Sequence, residues 1–153
     1  MRLDAKVAIV TGGGRGIGRA VALAFASQGA RLVVSDVDLE PAQEVAAEIV
    51  SNGGKALAMK TDVAKRTDVQ EMVEATLKEF GQVDILVNNA GNFNGAMLHK
   101  MTEDQWDNVV DVHLKGTYLC TQAVARNMME RKTGRIINVT AFAGERGNLG
   151  SIN

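Results

Sequence analysis

Short apolar runs alternate along the chain with longer segments in which apolar residues recur every three or four positions. The runs "KVAIVT" (6–11), "RLVVSD" (31–36), "KALAMK" (55–60), "VDILVN" (83–88) and "GRIINVT" (134–140) read as strands. Helical periodicity fills 16–28, 39–51, 66–80 and 103–131. A strand followed by a helix, repeated along the chain, is the pattern of βαβ units, which lay parallel strands side by side and cover both faces with helices. The expectation is an α/β fold, a doubly wound parallel sheet with five strands and four helices.

The punctuation between these segments agrees with that reading. Gly29, Gly53 with Gly54, Gly81 and Gly134 each stand between a helix and the next strand, where C-terminal caps belong. Asp38 with Pro41 suits a helix start, and "TEDQ" (Thr102 to Gln105) has the spacing of a capping box. Trp106 and the Met-rich "NMMERK" (Asn127 to Lys132) are expected on the packing faces of the long helix, and Tyr118 is expected to pack as well. No linker, repeat or low-complexity tract interrupts the pattern, so residues 1–153 are expected to form a single domain.

Composition narrows the function classes. With 153 residues, 46% hydrophobic, 23% charged and a net charge of −1, the chain reads as an ordinary soluble protein. No stretch approaches the roughly 20 apolar residues of a membrane span, and "MRLDAK" lacks the apolar core of a secretion signal, so the cytoplasm is the expected location. Basic residues are scattered and aromatics make up 4%, which argues against nucleic acid as a partner. Cys120 is the single cysteine and reads as a packed thiol; His99 has no ligand at metal-binding spacing, so no metal is expected.

The candidate chemistry begins at "TGGGRGIG" (Thr11 to Gly18), directly behind an apolar strand and ahead of a helix. That context places the unpaired N–H groups of a helix N-terminus at the carboxyl edge of the sheet, where a diphosphate binds. Gly12 suits the tight exit from the strand, while Gly16 and Gly18 let backbone approach a pyrophosphate and let the helix pack closely. The spacing is T-G-x-x-x-G-x-G, which departs from the commoner G-x-G-x-x-G and lacks the Lys-Ser/Thr ending of a P-loop. Asp36 ends the second strand 18 residues beyond Gly18, where a carboxylate accepts from ribose hydroxyls. A 2′-phosphate there would meet a like charge, which favours NAD over NADP. Arg15 pulls the other way, and Asp36 could alternatively serve as a helix cap.

Taken together these residues resemble the short-chain dehydrogenase/reductase family, with a flavour of the 3-oxoacyl-thioester reductases. "TGGGRGIG" looks like its cofactor loop, "TDV" (Thr61 to Val63) like its adenine contact, and "NNAG" (Asn88 to Gly91) like its motif after the fourth strand. "DVHLKG" (Asp111 to Gly116) and "GRIINVTAFAG" (Gly134 to Gly144) match two further blocks, so the resemblance covers essentially the whole chain. It implies a Rossmann-type dinucleotide-binding domain with strand order 3-2-1-4-5 and a small carbonyl or alcohol as substrate. Gly12, Arg15, Gly16, Ile17 and Gly18 would surround the pyrophosphate, Asp36 the ribose, Asp62 and Val63 the adenine. Asn89, Ala90 and Gly91 would line the path to the nicotinamide.

The same resemblance exposes departures. The family's reaction is hydride transfer supported by an Asn, Ser, Tyr, Lys tetrad. Its asparagine position is His113 here, which could continue a proton relay or be an ordinary satisfied helix histidine. Its serine position is Ala141, which has no hydroxyl; neighbouring Thr140 would point to the opposite side of a strand unless the loop distorts. Its tyrosine would fall one step past Asn153, with the lysine four residues further. The C-terminal part of the fold is therefore expected to be absent, with an exposed fifth strand, and the full-length form is expected to be a homo-oligomer, dimer or tetramer. Ala141 fits three readings: part of an enzyme, a non-catalytic NAD-binding subunit, or an inactivated variant.

Overall fold

A computed structural model describes residues 2–153. Five parallel strands, β1 (Val7–Thr11), β2 (Arg31–Asp36), β3 (Lys55–Lys60), β4 (Ile85–Asn88) and β5 (Arg135–Asn138), form one sheet in the order β3-β2-β1-β4-β5. The order reverses at β1, whose Val10 pairs with Val34 on one side and Val87 on the other. Both faces are covered. α1 (Gly16–Ser27) and α2 (Leu39–Ser51) pack on one, and α3 (Arg66–Phe80) and α5 (Gly116–Glu130) on the other.

The strands explain why two separate cores form. Successive strand residues point to opposite faces, so Ala8 and Val10 of β1, Leu32 and Val34 of β2, and Ile85 and Val87 of β4 join Ala22, Val45 and Ile49. Ile9, Val33 and Leu86 face the other way and meet Met72, Val73, Leu119 and Val124. Because both faces are buried, β1 is apolar without alternation except at Thr11. Cys120 is fully buried in the second cluster, and burial pushes its thiol up to about 12, so it acts as packing.

Several sequence expectations need correction. The helix expected over 103–131 is α4 (Glu103–Val110), a π turn over Asp111–Lys115, and then α5. The Gly116 N–H donates to the Asp111 carbonyl, five residues back rather than four. Two short helices were not expected, a 3₁₀ turn at Leu98–Lys100 and α6 (Ala143–Arg146). Gly29, Gly53 and Gly81 take the left-handed conformation of helix ends, but after α5 Lys132 takes it instead. Gly134 is small because a Cβ there would stand 2.6 Å from the Met128 Cγ. Trp106, Tyr118 and Met129 are exposed rather than packed; only Met128 of the methionine pair faces the core. Tyr118 instead accepts from the Gln122 amide at 2.8 Å, with the Arg66 guanidinium 6.0 Å from its ring centre. The capping box is present: the Gln105 N–H donates to the Thr102 hydroxyl at 3.2 Å and the Thr102 N–H to the Gln105 side chain at 3.0 Å.

Candidate dinucleotide site

The carboxyl ends of β1, β2 and β4 open onto a cavity of about 920 Å³. Behind it lies Thr11, whose buried hydroxyl accepts from the N–H groups of Asn89 and Ala90, both at 3.1 Å, and donates to the Val87 carbonyl at 3.3 Å. The Asn89 amide returns the tie, donating to the Thr11 and Gly12 carbonyls at 3.0 and 3.1 Å. The exits of β1 and β4 are thus bound together by polar groups that would otherwise be orphaned at strand ends. Thr11 was not singled out for this role, because in sequence it is simply a β-branched residue ending a strand.

Two glycines set the loop's shape. Gly12 has φ +60, and a Cβ there would stand 2.9 Å from the Ala90 Cα. Gly18 lies behind the loop, where a Cβ would collide with the Gly12 carbonyl and come within 2.6 Å of the Asn89 amide. The helix can press against the strand exit only because that position has no side chain. The first turn of α1 carries no acidic residue, and its preceding residue, Arg15, makes no side-chain cap. Its backbone N–H groups therefore keep their partial positive charge for an outside acceptor.

Asp36 is buried at the end of β2. One carboxylate oxygen accepts from the Gly14 N–H at 2.9 Å and the other from the Asp38 N–H at 3.2 Å. It therefore joins the glycine loop to the head of α2, as well as lining the cavity. Asp38 occupies the position ahead of α2 but makes no cap with its side chain, which pairs with Arg15 at 2.8 Å. On the next wall, Asp62 accepts from the Ala64 N–H at 3.1 Å and pairs with Lys65 at 3.2 Å. Val63 is buried beneath Gly116, whose missing Cβ would stand 2.7 Å from a Val63 methyl. Thr61 lines the cavity, and its hydroxyl is buried and without a hydrogen-bond partner among the described residues.

The cavity brings together Gly12, Arg15, Gly16, Ile17, Asp36, Asp62, Val63, Asn89, Ala90 and Gly91, with Gly18 just behind them. His113, Thr140 and Ala141 do not line it. His113 turns its Nε2 to the Asn92 backbone, 3.1 Å from the nitrogen and 2.9 Å from the oxygen. β5 ends at Asn138, so strand alternation does not reach Thr140 and Ala141. Both are exposed, and the Ala141 carbonyl accepts from the Gly144 N–H at 3.0 Å in the turn into α6. The sequence reading missed Asn92, Asn108, Asp111 and Lys115 on the cavity wall, since nothing in their spacing marks them. No cluster of three His, Cys, Asp or Glu side chains suited to a metal is found among the described residues.

Residues 6–153 match the family model described as short chain dehydrogenase. The chain belongs to the short-chain dehydrogenase family. Among its short-chain dehydrogenase relatives, a 3-oxoacyl-[acyl-carrier-protein] reductase of Synechocystis sp. is 45% identical over 99% of this chain and 62% of its own length. The (2S)-[(R)-hydroxy(phenyl)methyl]succinyl-CoA dehydrogenase subunit BbsD of Thauera aromatica is 42% identical over 94% of this chain and 58% of its own. The crystal structure of a short chain dehydrogenase from Mycobacterium avium superposes with a TM-score of 0.93 at 37% identity, covering 98% of this chain and 59% of that one. The chain thus spans about six-tenths of the length of the curated relatives it matches. No helix among the described residues is long and apolar enough to cross a membrane.

Proposed function

We propose that this chain is the dinucleotide-binding portion of an NAD-dependent oxidoreductase that moves a hydride between a nicotinamide and a ketone or secondary alcohol, with 3-oxoacyl thioesters as candidate substrates. The observation that carries this reading is the meeting of the uncapped α1 N-terminus and the buried Asp36 carboxylate on one cavity. A diphosphate needs free N–H donors without a competing carboxylate, which the first turn of α1 offers. The residues fit the rest of the group as well. Beyond its chain neighbours and its own helix backbone, nothing stands within 4 Å of a Cβ placed on Gly16, and Thr61, whose buried hydroxyl has no hydrogen-bond partner among the described residues, lines the same cavity. When bound, the nicotinamide supplies the hydride donor or acceptor.

In this reading Gly12, Arg15, Gly16, Ile17 and Gly18 surround the diphosphate and Asp36 accepts from the ribose. Asp62 and Val63 hold the adenine, while Asn89, Ala90 and Gly91 line the path to the reacting ring. The Asp36 carboxylate is pinned by two backbone N–H groups and cannot swing aside, and Arg15 is engaged by Asp38. A 2′-phosphate would therefore face two carboxylates, which supports NAD over NADP. Calorimetric titration tests this. NADH should bind at least about tenfold more tightly than NADPH, given the cost of like charges in a partly desolvated site, and Asp36→Ala should narrow the gap. Tighter binding of NADPH would overturn the preference.

Hydride transfer to a carbonyl carbon is assisted by a general acid held beside the carbonyl oxygen, the part that the family's serine and tyrosine positions play in this reading. Position 141 is alanine, and the one tyrosine, Tyr118, is exposed on α5 and does not line the cavity. The 153-residue chain should therefore bind dinucleotide without turnover. NADH oxidation with a panel of ketones, above a heat-denatured control, would refute that. Ala141 also favours a second reading, a non-catalytic NAD-binding subunit working beside an active partner. The whole protein is read as a cytoplasmic homo-oligomer, dimer or tetramer.

A further inference from the structure

We propose that Asn94 is a self-modification site: the backbone nitrogen of Gly95 attacks the Asn94 side-chain amide, and the neighbouring amides of Asn153 and Gln105 are placed to speed that attack. This chemistry is independent of what the dinucleotide cavity binds, since Asn94 and Gly95 do not line it. Two asparagine–glycine pairs occur in the chain, Asn52–Gly53 and Asn94–Gly95. Asparagine is a thermolabile residue, and a following glycine has no side chain to hinder a five-membered ring that closes on its own nitrogen. Gly95 N loses its proton and bonds to Asn94 Cγ, the Cγ–Nδ2 bond breaks, and the side-chain nitrogen leaves as ammonia with that proton. Water then opens the cyclic imide at either carbonyl, leaving aspartate or isoaspartate at position 94, with nothing oxidised or reduced.

The two pairs sit in opposite surroundings. Gly53 follows α2 in the left-handed conformation, and its N–H donates to the Val50 carbonyl at 2.9 Å, so the helix end holds the nitrogen that would attack. Gly95 lies in the irregular segment after β4, and its N–H donates to no group among the described residues. The carbonyl of the same peptide bond, on Asn94, accepts from the Asn153 side-chain amide at 3.1 Å. A donor on this oxygen draws charge away from the nitrogen and favours loss of its proton. The Asn94 side-chain oxygen, where negative charge collects as the ring closes, faces the Gln105 side-chain amide at 3.5 Å. That is the place of a donor in an oxyanion hole, and its reach tightens as charge develops. The Asn153 amide also donates to the Gln105 carbonyl at 3.0 Å, which fixes the two donors to one another. The attacking residue has to be glycine, because a Cβ on Gly95 would collide with the Gly150 carbonyl.

The folded 153-residue chain is incubated in heavy-oxygen water at mildly alkaline pH, and peptide mapping reads label and isoaspartate at both asparagines. The urea-unfolded chain is run beside it. In urea, where neither fold nor donors remain, the two sites should convert at comparable rates. In the folded chain Asn94 should convert at least about tenfold faster than Asn52, a small part of what a positioned oxyanion donor can supply. Asn153→Ala removes one donor without adding charge. Gln105→Ala removes the other and leaves the Thr102 hydroxyl still accepting from the backbone N–H of residue 105. Each variant should slow conversion at Asn94 by about threefold to tenfold, the worth of one net hydrogen bond, while Asn52 in the same digest gauges that the fold is intact. Conversion at Asn94 no faster than at Asn52 in the folded parent overturns the site. Unchanged or faster conversion at Asn94 in a variant means that the amide removed only restrains the segment, and overturns its part in the attack.

Discussion

Gly18 and Thr11 show how much of the cavity's shape depends on single atoms. An added methyl at Gly18 has nowhere to go except into the Gly12 carbonyl, so Gly18→Ala should push α1 off the strand exit. Overpacking of this kind destabilises by about 1–3 kcal/mol, to be read as a lower urea midpoint, and NADH affinity should drop with it. An unchanged midpoint would mean that α1 is not pressed against the loop as described. Thr11 works by hydroxyl alone. Thr11→Val keeps the buried volume and β-branching but leaves the Asn89 and Ala90 N–H groups without their acceptor. The expected loss is about 1–3 kcal/mol in the same assay, largely recovered by Thr11→Ser; a neutral Thr11→Val would show that another acceptor takes over. The glycines of this loop were legible in sequence because only a tight backbone uses them in that context. Thr11 was not, since its function depends on Asn89, 78 residues away.

At the scale of elements, period and punctuation located every strand and the helices α1, α2 and α3, because a doubly covered sheet needs short unbroken apolar runs between amphipathic segments. The break inside 103–131 was illegible, since a π turn changes neither composition nor apolar spacing enough to show. The same blindness hid a clamp at the far end of the sheet. The buried Asp84 accepts from the Val7 N–H at 2.9 Å, from Arg131 at 2.7 Å and from Gln82 at 2.7 Å, tying the starts of β1 and β4 to the end of α5. Burial pulls its carboxyl upward, but Arg131, the Val7 N–H and Gln82 outweigh it and the net shift is downward. A carboxyl lowered by folding contributes stability above its unfolded value near 3.9, and this is lost as pH falls through the still lower folded value. Urea midpoints measured from pH 7 down to pH 2 should therefore fall on the acid side. Asp84→Asn should start lower at pH 7 and show a shallower acid decline. Parallel curves for the two proteins would remove Asp84 from the acid response.

Across the whole molecule the two edges of the sheet are unlike. β3 begins and ends in exposed lysines, Lys55 and Lys60, the kind of charge that keeps an edge from pairing with another chain. β5 carries Ile136 and Ile137, each more than a third exposed, and is followed by exposed Val139, Phe142 and Leu149. An apolar edge strand with unpaired backbone groups is a template for a second chain. The 153-residue chain should consequently associate, its sedimentation coefficient rising with concentration and an apolar dye binding to it. Ile137→Lys, placed on a position that is already 44% exposed, should return the chain to a monomer with little change in urea midpoint. A parent chain that stays monomeric across the accessible concentration range would show that the residues after β5, from Thr140 to Asn153, shield this edge in solution. A parent that associates as strongly as Ile137→Lys would move the contact to another surface, and the exposed Leu114 of the π turn and Tyr118 of α5 would be the next positions to change.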